Sequence, residues 1–479
     1  MAKSGGDVLL LVMSARFVNI DRNTPLLLPP DLRDWLPQDH LVHFVVEVVQ
    51  SMDCREFKVN ERGTGSRQYP PGMMLALLVY CYATGRFSSR MIEAASYEDV
   101  AVRYICAGEH PDHDTICTFR RVNREVFERF FVHVLEVAMH SGVLKKVGTV
   151  SVDGTKLKAN ASKHSAMSHA RAQQELVRLE QEVAILTGKA EQADRGSQVA
   201  CETRLPEEIA RREKRLASIR KAVEVIEARA REKAAVQQQQ RDALARDRRE
   251  RRGRGQTVRG REPKPVEPKV DSKAQYNFTD PQSRIMKTRS GFEQCYNAQA
   301  AVETASMLVV ANALSNQAND HGQLVPLVEQ AALNGVSSAT VLADSGYYSK
   351  EQVESLESKG IDVLVAVGRQ KHGRSLEAIL GEEADQVVMP AEQTVRERMQ
   401  SKVNSREGRR VYGLRKQTVE PVFGIIKGAM RFRQCLMRGV RKVASEWNLV
   451  CSAYNVKRIF NLLSPRAASA CAAAVQKCA

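Results

Sequence analysis

The sequence has 479 residues, of which 43% are hydrophobic, so it is long enough for two or three domains with substantial cores. Its formal net charge is +16 and its pI is about 9.4, a balance typical of proteins that bind a polyanion, nucleic acid first among them. No apolar run is long enough for a transmembrane helix. The apolar run from Val8 to Met13 is too short for a secretory signal. We therefore expect a cytoplasmic, nucleoid-associated protein without membrane contact.

The ten cysteines are scattered along the chain, and no two of them have C-x-x-C spacing. A zinc ribbon and a C-x-x-C redox motif are therefore not supported. Several cysteines stand in apolar segments such as VYCYATG and LVCSAYN, where a cysteine usually serves as a small buried hydrophobic residue.

Residues 25–145, which follow an extension over residues 1–24, carry apolar residues at helical spacing and predict a helical N-terminal domain. The clearest patterns are LVHFVVEVVQSM, PPGMMLALLVYCYATG and VFERFFVHVLEVAMHSGV. The cluster HPDHD has two interpretations, a metal site or acids that cap the next helix. We favour the cap, because Asp112 and Asp114 directly precede a helical pattern.

The residues between 165 and 274 have a composition of their own. Apolar residues recur at heptad spacing in two runs among Glu, Arg, Lys and Gln, and the turn-forming stretch GKAEQADRGS separates the runs. We therefore predict an inserted antiparallel coiled-coil hairpin over residues 165–245. The Arg-, Gly- and Pro-rich residues 246–274 predict a basic, disordered linker.

Strand patterns flank this insertion on both sides. Residues 147–153 have strand character, and from about residue 290 strands alternate with short helices before a long helix. The pattern predicts an α/β domain, in which a mixed five-stranded sheet is covered by helices, formed by residues 146–164 and 275–465. Residues 466–479 remain as a C-terminal tail.

Two aspartates, Asp153 in VSVDG and Asp344 in VLADSG, follow predicted strands, and each is followed by a glycine or another small residue. Such a residue lets the chain turn and leaves the carboxylate at the rim of the sheet, where ligands bind in open α/β sheets. Glu420 is the best third acid. We expect it to open a long helix that has Pro421 in its first turn.

Three carboxylates at one rim suit hard cations. Two Mg²⁺ (or Mn²⁺) ions held about 3.5–4 Å apart would clamp the attacking and the leaving oxygens of a phosphodiester. The surroundings are basic, since residues 406–442 contain eleven Lys or Arg against two acids, and Lys156 and Lys158 follow Asp153. From the residues alone a structural interpretation stays open, in which Asp153 is a turn residue and Glu420 caps its own helix.

Four stretches, VSVDGTKLKANAS, NFTDPQSRIMKTRSGFEQCYNAQAAVE, VLADSGYYS and VEPVFGIIK, together resemble bacterial insertion-sequence DDE transposases. The resemblance is to the branch with a Tyr-Arg-Glu-Lys signature around its catalytic Glu. It extends to LLPPDLRDWLPQDHLVHFVVEVV, YPPGMMLALLVYCYATGRFSSRMIE and SEWNLVCSAYNVKRI. It implies a ribonuclease H-like catalytic core preceded by a helical, DNA-binding domain, and an enzyme that cleaves element ends and transfers them into target DNA.

The resemblance makes the three acids the metal-binding catalytic triad. It assigns Tyr412, Arg415 and Lys427 to the signature's Tyr, Arg and Lys, which grip DNA at the element end. The signature usually places three residues between Arg and Glu, whereas four separate Arg415 from Glu420. Lys416 has the usual spacing, while Glu420 and Lys427 keep the expected six intervening residues.

The expected partner is double-stranded DNA, both the terminal inverted repeats and the target, and a homodimer would hold two element ends at once. We expect Lys156, Lys158 and Arg431 to contact DNA phosphates as well. For the inserted hairpin, the roles of dimerisation arm, DNA clamp and tolerated surface excursion all stay open. Two alternative functions also stay open: an inactive, element-derived DNA-binding protein, and a nuclease with the same core but no joining activity.

Overall fold

We describe the fold from a computed structural model of the chain. It describes residues 31–59, 68–195, 204–255, 264–368 and 394–464. The predicted extension and tail lie outside these ranges, as do residues 256–263 of the predicted linker. Of the helices within the ranges, none has the length and hydrophobicity that a membrane span requires.

Helices make up the described part of the N-terminal region, as the sequence predicts. They are α1 (Leu41–Gln50), α2 (Pro71–Ala83), α3 (Ser89–Glu98), α4 (Val100–Ile105), α5 (His113–Val122) and α6 (Arg124–His140). α2 is apolar on every side, and its residues from Met74 to Ala83 are all buried. It packs against α1 and α4 and so lies within the bundle rather than at its surface.

The cluster HPDHD caps a helix. The Asp112 side chain accepts hydrogen bonds from the N–H groups of Asp114 (2.9 Å) and Thr115 (2.8 Å) at the start of α5. The His110 ring stacks on Tyr97. The capping interpretation is thereby confirmed.

β1 (Val147–Lys158) follows the helices, and the inserted segment begins shortly after it. Two short strands that pair antiparallel bound this segment, β2 (Ala166–Ser168) and β3 (Gln275–Asn277). Between them lie α7 (His169–Arg195) and α8 (Leu205–Gly253). The chain therefore enters and leaves the insertion at neighbouring positions.

α7 and α8 pack against each other as an antiparallel pair. Glu180 pairs with Arg220 (2.8 Å) and Glu182 with Arg212 (3.0 Å), so later positions in α7 meet earlier positions in α8. Apolar side chains of the predicted heptads are buried between the helices, among them Leu179, Leu216 and Ile219.

The predicted disordered linker over residues 246–274 begins instead with helix. Its first residues continue α8 to Gly253, because arginine and glutamate favour helix. Residues 264–274 run back along α8, where the N–H of Val266 donates a hydrogen bond to the side-chain oxygen of Gln238 (2.7 Å).

After β3, strands and helices alternate largely as predicted. They are β4 (Arg284–Thr288), β5 (Gly291–Glu303), β6 (Val309–Ser315), α9 (Leu324–Leu333), β7 (Ser337–Ala343), α10 (Lys350–Ser358), β8 (Asp362–Val365), α11 (Val395–Asn404), α12 (Arg406–Gly424) and α13 (Val440–Leu463). A π-helical turn, Ile425–Ala429, extends α12.

All strands except β2 and β3 form one mixed sheet in the order β4-β5-β1-β7-β8, with β6 also paired to β5. β1, β7 and β8 are parallel, and the other pairs are antiparallel. Cys295 pairs with both Lys158 of β1 and Arg284 of β4, so β4 and β6 use the edge of β5 that faces away from β1. The sheet in the described ranges therefore has six strands rather than the predicted five, because β4 adds a short edge strand.

α12 corrects the position predicted for Glu420. The helix begins at Arg406, where the Ser405 side chain accepts a hydrogen bond from the N–H of Gly408 (3.0 Å). Glu420 thus lies near the C-terminal end of the helix, and Pro421 stands inside it. A proline there removes a backbone hydrogen bond and crowds the preceding turn, and the π-helical turn that follows is the local adjustment.

α13 joins the N-terminal helices to the sheet. It packs against α2, α6 and β6, and its residues from Ser445 to Val456 are all buried. The Asn455 side chain accepts a hydrogen bond from the N–H of Val309 (2.9 Å) and donates one to its carbonyl oxygen (2.8 Å). Helices and sheet therefore share one hydrophobic core.

Candidate active site

The two predicted aspartates lie side by side on neighbouring strands. The parallel ladder of β1 and β7 ends with the pair Val152 and Ala343. Asp153 and Asp344 are the next residues, and neighbouring strands lie about 4.8 Å apart. β7 ends here, whereas pairing with β5 carries β1 on to Lys158. The turn predicted after Asp153 is therefore wrong, although both aspartates lie at the edge where β7 stops.

The Asp153 carboxylate is largely buried and keeps two partners. Its Oδ1 accepts a hydrogen bond from the N–H of Gly154 (2.7 Å), and its Oδ2 accepts one from Nη1 of Arg415 (3.3 Å). Burial raises the pKa of Asp153 to about 6. The two donors oppose this rise in pKa, and the carboxylates of Asp344 and Asp320 add to it. The site therefore has an excess of negative charge, which a divalent cation would relieve.

Asp344 begins the short 3₁₀ turn Ser345–Tyr347 that follows β7. Its Oδ1 accepts a hydrogen bond from the N–H of Gly346 (2.8 Å). This bond fixes the carboxylate beside the end of the parallel ladder, the rim position that the sequence pattern predicts.

Glu420 is linked to Asp153 through Arg415. One guanidinium nitrogen of Arg415 lies 3.5 Å from Oε1 of Glu420, and the other lies 3.3 Å from Oδ2 of Asp153. Arg415 is buried and its Nε has no hydrogen-bond partner among the residues that the structure describes, whereas the Glu420 side chain is 52% exposed. Lys416, which has the usual signature spacing, is exposed. The geometry thus puts Arg415, not Lys416, among the acids.

Tyr412 fastens α12 to the same edge of the sheet. Its hydroxyl donates a hydrogen bond to the carbonyl oxygen of Ala343 (3.2 Å), the residue directly before Asp344. The Tyr412 ring lies 5.9 Å from the guanidinium carbon of Arg415. Burial raises the pKa of Tyr412, so its hydroxyl stays a neutral donor at physiological pH.

A fourth carboxylate, Asp320, lies in the same region. Two side-chain amides of β5 donate to its Oδ1, Nδ2 of Asn297 (2.6 Å) and Nε2 of Gln299 (2.7 Å). The ammonium of Lys156 lies 3.8 Å from the same oxygen. Asp320 stands between β6 and α9 in SNQAND, a segment with neither helical nor strand periodicity, so no sequence pattern marks it.

Gly154 leaves the space that the Asp320 carboxylate occupies. A Cβ at position 154 would lie 2.6 Å from Oδ1 of Asp320 and 2.5 Å from Nε2 of Gln299. Both distances are too short for a carbon atom, so a larger residue would displace these side chains. A glycine inside a strand often marks such a close approach, and this is the signal in VSVDG that points to a further group beside Asp153.

Two family models match the chain, and together they span more than half of it. Residues 255–456 match the family described as "Transposase DDE domain", and residues 30–122 match "Transposase domain (DUF772)". The chain belongs to the DDE transposases. Its resemblance to the insertion-sequence enzymes is thereby confirmed, and it is a DNA transposase. Neither the curated proteins nor the solved structures give a significant match.

The matched DDE range includes Asp344 and Glu420 but begins after Asp153. The place of Asp153 in the transposase site therefore rests on the register of β1 with β7 and on its contact with Arg415.

Lys427 of the transposase is already engaged by β1. Its Nζ donates hydrogen bonds to Oγ1 of Thr155 (2.5 Å) and to the carbonyl oxygen of Lys156 (2.8 Å). Burial lowers the pKa of Lys427. These two bonds hold the π-helical turn against β1, and one of the three N–H groups remains for a phosphate.

The other expected DNA contacts are less engaged. Lys158 faces Glu293 at 3.6 Å, and Lys156 faces Asp320 at 3.8 Å, both long for ion pairs. Arg431 is exposed and has a positive φ of 64°, which directs the chain sharply away after the π-helical turn. Positive charges of this kind are what binding to the DNA backbone requires.

The acids fit the divalent ions that the family uses. In the described ranges, no three His, Cys, Asp or Glu side chains converge closely enough to share one ion. The donors are nevertheless carboxylate oxygens, which Mg²⁺ and Mn²⁺ prefer. The guanidinium of Arg415 lies between the carboxylates of Asp153 and Glu420. These two carboxylates therefore bind a positive group in the place where an ion would supply the positive charge.

Proposed function

We propose that Asp153, Asp344 and Glu420 hold two divalent ions, Mg²⁺ or Mn²⁺. With these ions the transposase cleaves element ends and joins the freed 3′ ends to target DNA. The register of β1 and β7 carries this proposal, because it makes two acids neighbours at the sheet edge. Such ions activate an attacking oxygen and neutralise charge on the leaving oxygen.

The residues around the acids position the DNA. A guanidinium binds phosphate as readily as carboxylate, in each case through paired N–H donors. We therefore infer that Arg415 exchanges a carboxylate for a phosphate oxygen when the DNA backbone enters. That exchange would free Glu420, whose half-exposed side chain has room to turn. Tyr412 holds α12 in place through its bond to Ala343.

The DNA partners that we propose are the terminal inverted repeats and the target, and a homodimer would hold the two element ends. The net charge of +16 supports a long contact with the DNA backbone. We propose that the antiparallel pair α7 and α8, which the heptads predict as a coiled-coil hairpin, adds to this contact with DNA. Dimerisation arm and DNA clamp both fit it.

The triad is tested with Asp153→Asn, Asp344→Asn and Glu420→Gln. We expect each to reduce Mg²⁺-dependent cleavage of end DNA more than about 100-fold, since even outer partners of a metal site are worth 10–100-fold. DNA binding, measured by gel shift, should persist because a negative charge is lost. Glu329→Gln, on the exposed surface of α9, is the matched control. Full cleavage by any of the three variants would exclude that residue from the site.

Joining separates a transposase mechanism from simple cleavage. Pre-cleaved end DNA with a free 3′-OH is incubated with a supercoiled plasmid and Mg²⁺, and joined products are quantified. We expect joined products from the wild-type protein and none from Asp153→Asn. Cleavage without joining would favour the nuclease, and neither reaction would favour an inactive DNA-binding protein.

A further inference from the structure

We propose that Asp320 is a fourth carboxylate of the active site, and that it holds a divalent ion at the Asp153–Asp344 pair through a water molecule bound to that ion. This inference rests on the proposed function of those two acids. Asp320 would be a positioning residue, because it acts through the water rather than on the DNA.

The Asp320 carboxylate is fixed in orientation. Its Oδ1 accepts hydrogen bonds from the amides of Asn297 (2.6 Å) and Gln299 (2.7 Å). Gln299 is itself held: its side-chain oxygen accepts a hydrogen bond from the Tyr347 hydroxyl, and its carbonyl oxygen accepts one from Nε1 of Trp447 (3.1 Å). Two donors, one of them held in this way, therefore constrain the Asp320 carboxylate through its Oδ1.

The other oxygen of Asp320 faces Asp344. A Cβ placed on Gly346 would lie 3.5 Å from Oδ2 of Asp320 and 3.0 Å from Oδ1 of Asp344. The two oxygens therefore border the same small space and lie within about 6.5 Å of each other. An ion bound to one carboxylate at about 2.1 Å, with its water hydrogen-bonded to the other at about 2.7 Å, spans such a separation.

A second, independent group points to a ligand in this place. Asn297 is fully buried, and no group in the described part of the chain donates a hydrogen bond to its Oδ1. That oxygen lies 3.0 Å from the Cβ position of Gly154, the point that Oδ1 of Asp320 also approaches. Buried polar atoms are nearly always satisfied. The waters of a hydrated cation carry O–H groups, which are the donors that this amide oxygen lacks.

A structural role for Asp320 is the competing explanation, since Lys156 lies 3.8 Å away. The two roles differ in what they change. A structural ion pair would affect the melting temperature of the metal-free protein and leave metal affinity alone. A water-mediated contact would affect metal affinity even when the fold is intact.

The test is Mn²⁺ binding to the full chain without DNA, followed by the electron paramagnetic resonance signal of free Mn²⁺. We expect Asp320→Asn to weaken Mn²⁺ binding by about 10–100-fold, the usual cost of losing an outer partner of a metal site. Asp362→Asn is the matched control, because Asp362 also faces a lysine, Lys402, but stands at the start of β8. Wild-type affinity in Asp320→Asn would overturn the proposal.

Two more variants make the result decisive. Gly346→Ala keeps every acid but puts a methyl group into the shared space, and we expect weaker Mn²⁺ binding and a higher Mg²⁺ requirement for cleavage. Unchanged Mn²⁺ affinity in Gly346→Ala would overturn the proposal even if Asp320→Asn failed to fold. Wild-type Mn²⁺ affinity in Asp153→Asn and Asp344→Asn would instead refute the proposed triad, which separates the two failures.

Discussion

The ionised carboxylate of Asp153 destabilises the metal-free fold, because it is buried. Burial raises its pKa from 3.8 to about 6, so the folded chain binds this proton more tightly than the unfolded chain. The residue therefore stabilises the fold below pH 4, and that stabilisation is lost as the pH rises through about 6. We predict that Asp153→Asn raises the free energy of unfolding at pH 8 by up to about 3 kcal/mol, at 1.36 kcal/mol per pKa unit, with little change at pH 4.

Denaturant unfolding in EDTA at the two pH values measures this effect. Parallel pH dependence in the wild-type protein and the variant would show that Asp153 does not titrate in this range. Addition of Mg²⁺ should reverse the order at pH 8, because only the carboxylate gains from the ion.

Sequence reasoning found Asp153 and Asp344 because each follows an apolar run that reads as a strand. It missed Asp320, because that residue is placed by amides on β5 and not by any local pattern. Gly154 was the one sequence feature that indicated a group close to β1 at this point, but a glycine after an aspartate also occurs in turns. Only the pairing of Gly154 with Gln299 in the sheet distinguishes the two cases.

Among the elements, the inserted hairpin is attached by a two-stranded base. Ser168 and Gln275 are direct partners in the β2–β3 ladder, so a two-residue Asn-Gly turn should reconnect them in place of residues 169–274. We predict that this shortened protein, with Tyr276 changed to Ser because α8 covers it, folds and cleaves single ends within about tenfold of the wild-type rate.

The pairing of two ends is the second readout for the shortened protein. If the hairpin is an arm for dimerisation or clamping, paired-end complexes should disappear on native gels while single-end cleavage continues. Intact pairing would mark the hairpin as a tolerated excursion, and an unfolded product would show that the arm completes the core.

The order of elements after β3 followed from the alternation of apolar and polar residues. The errors have physical causes. Composition suggested disorder where arginines in fact extend α8, because arginine is both charged and a good helix former. Pro421 suggested a helix start, because proline is common in the first turn of a helix. In the structure it lies inside α12, and the adjustment that it requires occurs downstream, in the π-helical turn Ile425–Ala429.

For the whole molecule, charge determines how DNA is approached. The exposed C-terminal end of α8 and the residue that follows it carry a cluster of arginines, which includes Arg246, Arg249 and Arg254. If these three contact phosphates, their replacement by Gln should reduce the slope of log affinity against log salt by up to about 2.7, at about 0.9 per contact. This slope is measured by fluorescence anisotropy with non-specific duplex DNA. The salt concentration is varied from about 50 to about 200 mM, the range in which phosphate contacts change the affinity strongly.

A matched control removes the same charge from the paired part of the hairpin. It replaces three arginines that each form an ion pair with a glutamate, namely Arg178, Arg211 and Arg220. Equal slopes for the two triple variants would mean that net charge, not the position of the arginines, governs the contact.

The packing of α13 against α2 and α6 has a consequence for biosynthesis. The N-terminal helices bury their apolar surface against a helix that is translated hundreds of residues later. Contacts of such long sequence separation form late and slowly, and hydrophobic surface that is exposed in the meantime favours aggregation. A nascent chain thus carries the face of α2 that meets α13 uncovered for most of its translation, and its yield in the cell should depend on chaperones that shield that face.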